Sequence, residues 1–165
     1  MDNELSLIVA MSKNGCIGKD NSLPWGKQKN DMTFFKNTTT GSTVIMGRNT
    51  FNSMRDKALP KRENIVLSRG MKKSEGVTIV DSIEKALTTA NKLEKPIYVI
   101  GGKTIYEPFI DKVNVMYITV IDVIINGDTF FPHFNKREWF QEVVEVGESD
   151  EKNENGYTIY KFIRK

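Results

Sequence analysis

The sequence predicts an α/β fold, with a largely parallel sheet, an antiparallel C-terminal edge and four flanking helices. Three observations carry this. Short apolar runs alternate with helix-like segments through most of the chain, the pattern of strand–helix–strand units. The runs are short and nearly all apolar, as strands buried on both faces are. The last two segments instead alternate polar and apolar residues, as an antiparallel pair does.

In order, "ELSLIVAM" (4–11) reads as a buried strand. "SKNGCIGKDNSLPWGKQ" (12–28) is crowded with Gly, Asn, Asp and Pro, so it reads as a long loop. Long ordered loops in compact domains are often lids or binding loops. A helix spans about 29–39 and carries "NDMTFFK" (30–36). Asp31 is of the residue type favoured as a helix N-cap. It also lies four residues before Phe35 and close to Phe34, where an ionised carboxylate would need a partner. "STVIMG" (42–47) is a strand, "RNTFNSM" (48–54) a short helix and "DKALPKR" a loop. "NIVLS" (64–68) and "VTIV" (77–80) are strands. "DSIEKALTTANKL" (81–93) is the clearest helix: Ser82 can cap it, and Ile83, Ala86, Leu87 and Ala90 form one apolar stripe. "PIYVI" (96–100), a helix at 102–110 and a long strand at 113–121 follow. "WFQEVVEVG" and "YTIYKFIRK" form the terminal pair, which makes about eight strands and four helices.

A chain of 165 residues with 39% hydrophobic and 27% charged residues suits one domain over 1–165 with a real core. The net charge is +3 and no run of five Lys or Arg occurs, which argues against nucleic acid and for a small anionic ligand. The single cysteine, Cys16, excludes an internal disulfide and fits the cytoplasm. His133 has no Cys or second His near it, so no zinc site is expected. No apolar stretch reaches membrane-span length, and the first residues lack a signal-peptide layout.

In open α/β sheets ligands bind beyond the carboxyl ends of the strands. "MGRNT" (46–50) puts Gly47, Arg48, Asn49 and Thr50 at such an end, where a helix start offers N–H groups to a phosphate. "IGGKT" (100–104) repeats the layout with Gly101, Gly102, Lys103 and Thr104. It ends like a P-loop, but that motif's first Gly falls on Ile97 within the strand, and no G-x-G-x-x-G occurs. "LSRG" adds Leu67, Ser68 and Arg69. Two glycine-bearing junctions in so small a chain point to a dinucleotide-sized polyphosphate. No nucleophilic triad or carboxylate pair is available, and Asp31 stands out as a lone acid.

The motifs "LIVAMSKNGCIG", "NSLPW", "DMTFFK", "TVIMGRNTF", "LPKRENIVLS", "YVIGGKTIYEPF", "MYITVI" and "GDTFFP" run colinearly over almost the whole chain. In them the sequence resembles dihydrofolate reductase. The resemblance implies reduction of dihydrofolate to tetrahydrofolate with NADPH, by hydride transfer from nicotinamide C4 to pterin C6 with protonation of N5. It implies that Asp31 pairs with the pterin N3 and 2-amino edge, assisted by Thr119. It implies folate-site walls at Ile8, Val9, Met32, Phe35, Met54, Leu59 and Ile100, and Arg62 on the glutamate-tail carboxylate. Leu23 and Trp25 fall on a mobile loop over the nicotinamide, with water admitted near Leu23 as the N5 proton donor. Ala10 and Ile17 match contacts to the carboxamide. Gly47, Arg48, Asn49, Thr50, Leu67, Ser68 and Arg69 match one side of the cofactor. Gly101, Gly102, Lys103, Thr104 and Ile105 match the other, with a cis Gly–Gly bond. Tyr106 and Tyr117 fall near the nicotinamide. Diaminopyrimidine and pteridine antifolates are implied ligands, no metal is, and a monomer is expected. Five residues, "GKQKN", separate Trp25 from Asp31, where many bacterial members have four. The alternatives are a related pterin or pyrimidine reductase and, from a different class, a nucleotide-binding or phosphotransfer module.

Overall fold

A computed structural model describes residues 3–20 and 22–165; Asn21, which opens the "NSLPW" motif, lies outside the described residues. The strands are β1 (Leu5–Ser12), β2 (Cys16–Gly18), β3 (Thr43–Gly47), β4 (Glu63–Leu67), β5 (Val77–Val80), β6 (Ile97–Gly101), β7 (Val115–Ile121), β8 (Thr129–Phe130), β9 (Trp139–Gly147) and β10 (Tyr157–Arg164). The helices are α1 (Lys29–Thr39), α2 (Arg48–Ser53), α3 (Ile83–Asn91) and α4 (Lys103–Ile110).

Eight strands form one sheet in the order β5-β4-β3-β6-β1-β7-β10-β9. The pairs from β5 to β7 are all parallel. β10 is antiparallel to both β7 and β9, so β10 alone runs against the rest. The carboxyl ends of β1, β3, β4, β6 and β7 therefore share one edge of the sheet, which is where the sequence gathers its candidate motifs.

The two faces of the sheet have different cores. Leu7, Val9, Ile45, Val99, Met116 and Ile118 pack with Phe109 and Ile110 of α4 and with Ala86 and Ala90 of α3. Ser82 caps α3, its Oγ accepting from Lys85 N at 3.1 Å, and the stripe over Ile83, Ala86, Leu87 and Ala90 faces that core. Val44, Met46 and Val66 pack instead with Phe51 of α2, with Met54, Leu59, Tyr98 and Ile100 around them. Alternation along each strand sends neighbouring residues to opposite faces, so one run feeds both cores.

The 12–28 segment differs from the expected loop. β2 lies within it and pairs with β8, and an isolated bridge joins Lys19 to Ser22. Three residues of strand in a glycine-rich stretch carry no readable period, so only the pairing with β8 reveals it. The cap expected at Asp31 is also absent. Asp31 is the third residue of α1, and the cap position falls on Gln28, whose side chain makes no capping bond. No described helix is long and apolar enough to cross a membrane.

Candidate active site

The site begins where the sheet splits. β1 and β6 pair only from Leu5↔Ile97 to Leu7↔Val99. Beyond that, β1 follows β7 as far as Ser12↔Ile121. β6 turns to β3, and the register slips between Ile45↔Val99 and Met46↔Gly101, leaving Ile100 as the extra residue of a bulge. The ladder between Ile8 and Ile100 is therefore open at the carboxyl edge. The Tyr106 hydroxyl spans the gap, 2.9 Å from both Ile8 O and Ile100 O, which share its one proton as acceptors. Complete burial, with the Asp31 charge adding to it, pushes the Tyr106 phenol far above its ordinary value. Tyr106 is thus a neutral donor at any working pH. A cleft at a point where neighbouring strands diverge is the expected ligand site of an open α/β sheet.

Asp31 faces the same region. It is 9% exposed, and burial raises its pKa above the ordinary carboxylate range. The Thr119 hydroxyl acts the other way and favours the charged form. Among the described residues no cation is paired with Asp31. A buried acid that has one hydroxyl for support and no counter-ion is matched to a ligand that supplies donors.

One end of the cleft is built by loop 54–62 and the end of α1. Met54, Leu59 and Ile100 are partly buried side by side. Arg62 lies over the Phe35 ring, 5.9 Å from its centroid, and its Nη1 donates to Thr39 Oγ1 at 2.9 Å. Thr39 in turn donates to Phe35 O at 2.8 Å. Asn64 ties the loop into a fixed turn: its Oδ1 accepts from Leu59 N at 2.9 Å, and its Nδ2 donates to Leu59 O and Arg62 O. The guanidinium is thereby held beside Phe35 and Thr39.

The other end holds the two glycine junctions. Gly101 has φ +130°, and the peptide bond from Gly101 to Gly102 is cis. A Cβ on Gly101 would sit 3.2 Å from Tyr106 Oη and 3.3 Å from Thr50 Oγ1, so the β3–α2 and β6–α4 junctions are adjacent. A Cβ on Gly47 would come 2.9 Å from Ile105, whose side chain belongs to the core. Arg48 Nη1 would be 3.9 Å from a Cβ on Gly70, which brings Arg48 beside the Ser68–Arg69–Gly70 turn. Ser68 Oγ closes that turn by accepting from Met71 N at 3.1 Å. Arg48, Asn49, Arg69, Lys103 and Thr104 are exposed around this cradle. Bare glycine backbone, helix starts and cations together fit a polyphosphate.

The family profile for dihydrofolate reductase matches residues 4–164. The chain belongs to the dihydrofolate reductase family. It is 44% identical over 148 residues to the dihydrofolate reductase of Haemophilus influenzae, covering 90% of this chain and 91% of that one. Against the dihydrofolate reductase of Staphylococcus aureus the identity is 41% over 162 residues, with 98% of each chain covered. The dihydrofolate reductase of Enterococcus faecalis, solved in complex with NADP(H) and RAB-propyl, superposes with TM-score 0.89 at 36% identity, covering 98% of this chain and 96% of that one.

The structure brings Ile8, Asp31, Thr119, Ile100 and Tyr106 to the split, and Phe35, Met54, Leu59 and Arg62 to one end of it. Other expected dihydrofolate-reductase site residues stand differently. Val9 turns its side chain into the opposite core, so only its backbone faces this way. Met32 is 57% exposed on the outer side of α1. Tyr117 stands opposite Ile8 in the β1–β7 ladder, its ring 5.8 Å from Phe34 and 6.5 Å from Tyr98. Trp25 is 8% exposed and packs with Ala10, Ile121 and Tyr157, whereas Leu23 is 55% exposed. Ile17 packs from β2 against the large core, and Leu67 is partly buried there.

Reading the sequence missed Thr39, Asn64 and Asp128. Asp128 Oδ2 accepts from Asp20 N at 3.0 Å, while Asp128 N donates to Gly18 O. It pins the segment before Leu23 to the β8 turn. The "GDT" motif contained this acid, but nothing local shows that its acceptor reaches across 108 residues.

Proposed function

We propose that this chain reduces dihydrofolate to tetrahydrofolate with NADPH. The observation that carries the reading is the buried, unpaired Asp31 beside a split sheet whose far end is a glycine-lined phosphate cradle. Asp31 offers two oxygens to the pterin N3 and 2-amino edge, and Thr119 steadies them. Ile8, Phe35, Met54, Leu59 and Ile100 enclose the rings, and Arg62 meets the glutamate-tail carboxylate. Gly47 to Thr50, Ser68, Arg69 and Gly101 to Thr104 hold the cofactor's phosphates. NADPH, when bound, supplies the hydride that goes to pterin C6. The protein contributes orientation and a dry pocket, with Trp25 anchoring one end of the covering loop. Water passing the exposed Leu23 carries the proton for N5, because Asp31 faces the other ring of the pterin. A cytoplasmic location and a monomeric state belong to the same reading, which the free thiol of Cys16 supports for the location.

The test is absorbance at the reduced-nicotinamide band. Loss of signal only when dihydrofolate and NADPH are both present supports the reading; no loss, or loss without dihydrofolate, rejects it. Arg48 also makes a sharper prediction. NADPH differs from NADH by a phosphate on the adenine ribose, and the nearness of Arg48 to the Ser68–Arg69–Gly70 turn supports it as that phosphate's partner. Arg48→Ala raises the KM for NADPH by about tenfold, the scale of one hydrogen bond to a charged group, and that for NADH by much less. Equal rises would assign Arg48 to the pyrophosphate that both cofactors share.

A further inference from the structure

Helix α1 carries Asp31 in its first turn, yet its own cap residue, Gln28, makes no capping bond. The first N–H groups of a helix need acceptors from elsewhere. They find them on the tip of the β9–β10 hairpin. Lys29 N donates to Lys152 O at 3.0 Å, and Asn30 N donates to the side-chain Oδ1 of Asn153 at 2.9 Å. Asn153 is 1% exposed and is itself fixed: its N and Nδ2 both donate to Asp150 Oδ1, at 2.8 and 3.1 Å. The chain before the helix is docked on the same tip. Gln28, 4% exposed, donates to Asn155 O and accepts from Asn155 N, while Glu154 N donates to Lys27 O at 2.7 Å. The Asn30 side chain continues the contact by donating to Tyr157 Oη at 2.7 Å.

We propose that Asn153 is a positioning residue for substrate binding: it caps α1 from outside the helix and so fixes where Asp31 stands in the cleft. Asp31 follows directly on the residue whose N–H Asn153 holds. Its carboxylate has a hydroxyl but, among the described residues, no cation to locate it, so its place depends on the helix start. The "GKQKN" segment is docked on the hairpin tip through Lys27, Gln28, Lys29 and Asn30, which leaves Asn153 as the side-chain acceptor that ends the approach to Asp31. The cradle for the cofactor's phosphates lies on α2, α4 and the Ser68 turn, none of which touches Asn153.

This rests on the function proposed above. The experiment measures KM for dihydrofolate and for NADPH in wild type, in Asn153→Ala, and in the exchange variant Asp150→Ser/Asn153→Asp. The exchange keeps an accepting oxygen at position 153, and the hydroxyl at 150 can both donate to it and accept from the backbone N–H groups of residues 152 and 153 that Asp150 Oδ1 now serves. Asn153→Ala is expected to raise the KM for dihydrofolate roughly fivefold, the scale of one lost helix cap, with the KM for NADPH unmoved. The exchange variant is expected to return the dihydrofolate KM to the wild-type value. An unchanged dihydrofolate KM with only a lower melting temperature, or two KM values rising together, overturns the proposal. So does an exchange variant that folds and keeps the raised KM. If Asn153→Ala does not fold, Asn153→Ser, with a shorter reach, takes its place and is judged in the same way. A wild type inactive on dihydrofolate would sink the function itself; an active wild type with unmoved variants sinks only this inference.

Discussion

Asp31→Asn is expected to abolish most activity near neutral pH while leaving a fold that is more stable than the wild type. The two effects have one cause. Burial raises the pKa of Asp31, which means that the folded protein disfavours the carboxylate relative to the unfolded chain. In the window between the ordinary carboxylate value and the raised one, the folded state holds more protons than the unfolded state. Stability therefore falls as pH rises through that window and stays lowered above it. Asn carries no charge and escapes the cost. The stability gain should be full at neutral pH and vanish below the ordinary carboxylate pKa, as denaturant melts across pH would show. Activity moves the opposite way. Removing the charged member of a desolvated contact costs about 3–5 kcal/mol in transition-state terms, roughly a hundredfold to several thousandfold in kcat/KM. Part of it should return at low pH, where the substrate arrives already protonated. Near wild-type rates at neutral pH would remove Asp31 from the mechanism.

Gly101→Ala is expected to have the second largest effect. Its φ of +130° lies in a region that only glycine adopts without strain, at a cost of about 1–3 kcal/mol for alanine. The added Cβ would also press on Tyr106 Oη at 3.2 Å and Thr50 Oγ1 at 3.3 Å. Neither neighbour is free to give way at no cost. The Tyr106 hydroxyl is held by its bonds to Ile8 O and Ile100 O, and Thr50 lies in the first turn of α2. The variant should melt lower and lose NADPH affinity together, because the strain and the cradle share one atom's position. Gly102→Ala is the control: its φ of −93° is ordinary and its Cβ would meet only Thr50 Oγ1, at 3.5 Å. It should fold with little loss. Equal melting temperatures for the two variants would show that the Gly101 backbone is not the constraint.

Much of this was readable along the chain because it depends on neighbours in sequence. Six apolar runs and the alternation of the last two segments located the eight main strands to within a residue or two, and Ser82 with its stripe located α3. The glycines at 47 and 101 announced close approach, and a Cβ at either would be crowded, whereas one at Gly102 would meet only an ordinary contact. What stayed hidden depends on distant partners. The β2–β8 ladder joins segments more than a hundred residues apart, and neither strand is long enough to show a period. Asp31 has the composition of a cap, yet the acceptor for its helix start sits on Asn153. Thr39 and Asn64 look like ordinary helix-end and strand residues, and only the fold shows that they hold the Arg62 side chain and backbone. Tyr117 alternates onto the same face as its partner Ile8, but its packing on Phe34 and Tyr98 shows only in the fold. The split between β1 and β6 is a matter of register, which periodicity cannot reveal.

That Asp31 is the ionic partner at the centre of the cleft is tested most directly by calorimetry with a 2,4-diaminopyrimidine. Such a ring can take a proton on N1 and then offers an N–H and an amino group to both Asp31 oxygens, a charge-assisted fork. Its other amino group can reach the carbonyls of Ile8 and Ile100, where the sheet is open. Binding is measured in buffers of different ionisation enthalpy, at a pH above the free ligand's pKa. The expected result is proton uptake on binding to the wild type, with both the uptake and most of the affinity lost in Asp31→Asn. Binding without proton uptake, or undiminished affinity in the Asn variant, would contradict it.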